Sequence, residues 1–87
     1  MDERAEQRHM FVAGHGFDGW TATAIAGDAS SRRYWRLTSD RHSLILMDAE
    51  PGPEFDRFVS VDRWLRGLGL AAPEILALDA IQGFMIC

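Results

Sequence analysis

Residues Gly27-Asp28-Ala29-Ser30-Ser31-Arg32-Arg33-Tyr34-Trp35-Arg36 carry the residue types that bind phosphate. Glycine allows backbone conformations that other residues avoid, and the serines offer hydroxyl and amide donors. The arginines add fixed positive charge with forked donor geometry. Taken alone, one glycine falls short of a glycine-rich phosphate motif, and a plain β-hairpin is the stronger reading of the turn.

The elements around this turn decide what it can do. Residues 2–14 are rich in helix formers and set Ala5, Met10, Phe11 and Val12 loosely on one side, until Gly14-His15-Gly16 stops the pattern. Trp20 to Ala26 and Arg32 to Thr38 alternate as half-buried strands do, and Ser43 to Asp48 reads as a third, more buried strand after the polar turn Ser39-Asp40-Arg41-His42. Pro51-Gly52-Pro53 ends the sheet and opens a helix. Its apolar face is read as Phe55, Phe58, Val61, Trp64, Leu65 and Leu68, and Gly67 and Gly69 stop it. Ile75 to Leu78 and Phe84 to Cys87 are the last two strands, with a turn at Gln82-Gly83. Turns too short for parallel crossovers predict an α+β fold, an antiparallel sheet with one packed helix and an N-terminal helix.

Composition narrows the function. The 87 residues suffice for one domain, and nearly half are apolar. A net charge of −4 argues against nucleic acid as a partner. All nine basic residues are arginine, which removes every lysine-based mechanism. Cys87 stands alone, so neither an internal disulfide nor a cysteine metal cluster can form. The charged N-terminus lacks the apolar run of a signal peptide, and no stretch has the length of a membrane span, so a cytoplasmic location without membrane contact is expected.

The turn, the strand Ser43-Leu44-Ile45-Leu46-Met47-Asp48-Ala49 and the stretch Gly67-Leu68-Gly69-Leu70-Ala71-Ala72-Pro73-Glu74-Ile75-Leu76 together resemble the N-terminal lobe of the aminoglycoside phosphotransferase superfamily. Within it, the sequence is most similar to bacterial cell-wall amino-sugar kinases, which phosphorylate N-acetylmuramate and N-acetylglucosamine at the anomeric position. The resemblance runs from about Phe11 to Cys87. It implies a protein-kinase-like small lobe at residues 20–87, with its five-stranded antiparallel sheet, preceded by a helical segment at 1–19. It also implies ATP as cofactor, a small-molecule sugar as second substrate, and phosphoryl transfer in which protein groups mainly position and neutralise charge.

By that resemblance Gly27, Asp28, Ala29, Ser30 and Ser31 form the loop over the ATP phosphates, and Ile45 and Met47 face the nucleotide. The strand position that holds a phosphate-pairing lysine in protein kinases is Met47 here. Arg32, Arg33 and Arg36 are the candidate replacements; Arg32 and Arg36 share one face with Tyr34, and Arg33 the other with Trp35. Asp56 and Asp62 are the weak candidates for a pairing carboxylate on the helix. The family's catalytic aspartate loop, asparagine and metal-binding aspartate belong to the C-terminal lobe, so the Mg2+ ligands are expected there, and these residues alone are not expected to catalyse. A lobe cut at its hinge should self-associate.

Other features have plainer readings. Tyr34, Trp35, Phe55, Phe58 and Trp64 are read as core, Asp48-Ala49-Glu50 as a solvated strand end, and His9, His15 and His42 as too scattered for a metal site. The competing function is a stand-alone binding module that docks through an exposed edge strand, Phe84-Met85-Ile86-Cys87.

Overall fold

The alternating residues 21–25 and 33–39 fold into paired strands, and the rest of the sheet is added behind them. The computed structural model describes residues 3–25 and 32–87. Its elements are α1 (Glu3–Val12), β1 (Thr21–Ile25), β2 (Arg33–Ser39), β3 (His42–Asp48), α2 (Pro53–Gly67), β4 (Ala77–Asp79) and β5 (Phe84–Ile86), with a π-helical turn at Ala13–Phe17 after α1. The five strands form one antiparallel sheet in the order β1-β2-β3-β5-β4.

The position of β5 corrects one expectation. Phe84 to Ile86 is an interior strand between β3 and β4, and all three residues are buried, so it offers no free edge. Sequence alone sees an apolar run near the end of the chain. The pairings Leu46 with Ile86 and Met47 with Met85 show that its backbone groups are already taken.

Strand alternation divides the core between two faces. Leu37, Leu46, Ala77, Phe84 and Ile86 pack with Phe11 of α1 on one face. Met47, Ala49 and Met85 pack with Phe55 and Val59 of α2 on the other. Helices therefore cover both faces.

The buried stripe of α2 is Phe55, Val59 and Asp62. The sequence reading put Val61, Trp64 and Leu68 on that face, but they are exposed, Trp64 by 64%. Spacings of three and four fit two overlapping stripes on this helix, and the sheet takes the one through Val59. The helix begins with Pro53 in its first turn after Gly52. It ends in a Schellman motif: Leu70 N–H donates to Leu65 O and Gly69 N–H to Arg66 O, both at 3.0 Å, with Gly69 at φ 78°.

Turn chemistry fixes the other end of β5. Asp79 Oδ1 accepts from the amides of Ile81 and Gln82 at 3.1 and 3.0 Å. Gly83 has φ 85°, and a Cβ there would lie 2.0 Å from the carbonyl oxygen of Ala49. Only glycine lets β5 start this close to the exit of β3.

Candidate functional site

Cross-strand partners share a face, so the register sorts the three arginines. Tyr34 pairs with Met47 and Arg36 with Ile45, which puts Tyr34 and Arg36 on the α2 face. Arg33 pairs with Asp48 and lies on the α1 face. Arg32, next to the start of β2, lines a notch on the α2 side with Met47, Ala49, Glu50, Glu54, Phe55 and Phe58. Its guanidinium carbon lies 5.5 Å from the centre of the Phe58 ring. Arg36 stands further along the strand, where Nη1 donates to Ser43 Oγ at 3.3 Å.

The notch has a volume of about 40 Å3. That is room for little more than one water molecule, so it can take the oxygen of a larger ligand and not the whole of it. Beside it the sheet face is only partly covered. Ile25, Tyr34, Ile45 and Cys87 are half-buried there, and Ile25 pairs with Tyr34. Chemically, this face combines an apolar strip with a forked cation at one end. Met47 contributes differently from expectation: it is 97% buried against Phe55, Val59 and Met85, so it forms the floor and does not present an open surface. Gly27, Asp28, Ala29, Ser30 and Ser31 lie outside the described residues.

Neither expected carboxylate of α2 meets an arginine in the notch. Asp56 is exposed on the helix. Asp62 is 5% exposed, and its Oδ2 has no hydrogen-bond partner among the described residues. Burial raises the pKa of the neighbouring Cys87 thiol, and the Asp62 carboxylate raises it further. The acid that reaches the notch from α2 is Glu54, in the first turn, together with Glu50 from the preceding loop. In the sequence Glu54 reads only as a complement to the helix N-terminus. Its place three residues after the sheet-ending Pro51 was the available signal.

Asp48 corrects a second expectation. It is 5% exposed and is held from α1. Arg4 Nε and Nη2 donate to its Oδ1 at 2.9 and 2.6 Å, and Arg8 Nη1 donates to its Oδ2 at 2.9 Å. Arg4, Arg8 and Phe11 are spaced by four and three, so one helical face carries all three onto the sheet. A larger cavity of about 260 Å3, lined by Trp20, Trp35 and Arg8, also lies on this side. Its arginine donates to Asp48 and stacks 3.9 Å above Trp35.

No group of three His, Cys, Asp or Glu side chains among the described residues could hold a metal ion. No helix among them is long and apolar enough to cross a membrane.

With this geometry in hand, comparison with known proteins gives a consistent result. Residues 21–86 match the family described as "Phosphotransferase enzyme family". The N-acetylmuramate/N-acetylglucosamine kinase of Pseudomonas aeruginosa is 45% identical over 84 aligned positions, covering 88% of this chain and 24% of the relative. The protein of the same name from Pseudomonas putida is 42% identical over 65 positions, covering 74% of this chain and 19% of the relative. That from Caulobacter vibrioides is 29% identical over 112 positions, covering 97% and 31%. The chain thus spans between about a fifth and a third of the length of these relatives. No solved structure matches it.

Proposed function

The chain belongs to the phosphotransferase enzyme family, and from that premise we propose that it is the ATP-binding small lobe of an amino-sugar kinase. N-acetylmuramate or N-acetylglucosamine is the acceptor, by likeness to the relatives so named. Residues 20–87 form the lobe in this reading, and the helical segment 1–19 braces it. The remaining parts of the site, including the Mg2+ ligands and the catalytic carboxylate, come from further sequence of the full-length protein. The reaction takes place in the cytoplasm.

The observation that carries this reading is the placement of Arg32 beside Met47 on the α2 face. With no lysine among these 87 residues, arginine is the fixed cation they offer to phosphate, and among the three candidates Arg32 lines the notch. The residues fit an ATP molecule along the sheet. The apolar strip Ile25, Tyr34 and Ile45 suits the base, and the Arg32 fork suits phosphate oxygens, which it can bind bidentately. Gly27 to Ser31 connects these two positions in sequence and supplies amide and hydroxyl donors for the phosphates. ATP, when bound, supplies the phosphoryl group.

The chain's own residues therefore bind and orient the donor and offset its charge. That is the main protein contribution to phosphoryl transfer, whose charge is spread over the equatorial oxygens. Glu50 and Glu54 keep the notch from being a general anion trap, because phosphate without a metal ion would meet two carboxylates beside one guanidinium. The test is turnover by the full-length protein with Mg-ATP and N-acetylglucosamine. ADP release that depends on the sugar supports the reading, and ADP release indifferent to any amino sugar would remove the acceptor assignment.

A further inference from the structure

The notch is built on the last residues of β3, and those residues are held from the opposite side of the sheet. Met47 and Ala49 enter the notch, while Asp48 between them points to α1. There it accepts three hydrogen bonds from Arg4 and Arg8. Arg4 Nη2 also donates to the Ala49 carbonyl at 3.0 Å, and Ala49 N–H donates to Gly83 O at 2.9 Å. Each guanidinium is itself fixed by a ring, Arg4 at 4.1 Å over Phe84 and Arg8 at 3.9 Å over Trp35.

We propose that Arg4, Arg8 and Asp48 are positioning residues for the nucleotide, a clamp through the sheet that sets where Met47, Ala49 and the adjoining Arg32 stand. The inference rests on the nucleotide reading above. Its physical basis is the choice of interaction. An apolar contact would attach α1 to the sheet at least as firmly, since charges taken out of water lose much of what their attraction returns. What the ion pairs add is direction: two forked donors on both oxygens of one carboxylate fix the strand end laterally and along its axis. The backbone of residue 33, paired with Asp48 in the register, carries the same constraint to the start of β2 one residue from Arg32, whatever side chain stands there.

Steady-state kinetics of the full-length protein test this. Asp48→Asn keeps the shape and removes the charge. It should raise the KM for ATP roughly tenfold, as expected when a binding group is displaced by a fraction of an ångström, and leave the KM for the sugar unchanged. Phe11→Leu loosens α1 through its apolar contact and should lower thermal stability without moving the KM for ATP. Arg8→Met, which keeps the Arg4 pair, should show the same KM split in smaller measure and serves if Asp48→Asn does not fold. Equal effects of Phe11→Leu and the clamp variants on the KM for ATP, or no effect of either clamp variant, overturn the proposal. Arg32→Ala separates this from the underlying reading. If it leaves the KM for ATP unchanged in a protein whose clamp is intact, the nucleotide assignment itself fails.

Discussion

At the scale of single residues, burial and charge decide more than residue type. Cys87 shows it most directly: desolvation and the Asp62 carboxylate both disfavour the thiolate, so its folded pKa lies above the ordinary value. At neutral pH the thiolate fraction is thereby reduced, and alkylation by iodoacetamide should be slower than for a free thiol and should accelerate only at more alkaline pH. Asp62→Asn removes the second cause and should shift the rate profile to lower pH; an unchanged profile would show that burial acts alone. The arginines of the opening turn were legible in sequence as a group, because alternation separates Arg33 from Arg32 and Arg36. Which of them share the face that α2 covers was not legible, since that depends on where the helix packs. The Arg4, Arg8 and Asp48 cluster was hidden for a related reason. Charged residues read as solvated until a facing element supplies the partner, and here the partners are 44 and 40 residues apart in sequence.

At the scale of elements, most of the fold could be read from turn and periodicity signals. The β2–β3 hairpin, the proline-led helix and its glycine stop each have a local cause, and all stand where those causes put them. What could not be read was non-local: the order of the last two strands and the rotation of α2. Two glycines test the local account. Gly83→Ala forces a Cβ onto the Ala49 carbonyl and should cost about 3 kcal/mol in urea unfolding, because both the clash and the positive φ oppose it. Gly69→Ala meets open space and should cost only about 1 kcal/mol, the strain of the Schellman position alone. A smaller loss at Gly83 than at Gly69 would contradict the close approach of β3 and β5.

At the scale of the whole molecule, the outer side of α2 and the segment after it carry Val61, Trp64, Leu68 and Leu70, all large, apolar and exposed. Exposed apolar side chains at this spacing are the physical ground for expecting association. Sedimentation of the 87-residue chain should show concentration-dependent self-association that Trp64→Glu reduces, and a monomer at all concentrations would rule this out. The larger claim is that the sheet face beside α2 grips ATP through Arg32, and one titration addresses it. Calorimetry with Mg-ATP on the full-length protein should show that Arg32→Ala weakens binding by about ten- to a hundredfold, the value of a charge-assisted hydrogen-bonded contact, with Arg33→Ala and Arg36→Ala close to the parent. Equal affinities in all three variants would contradict the account.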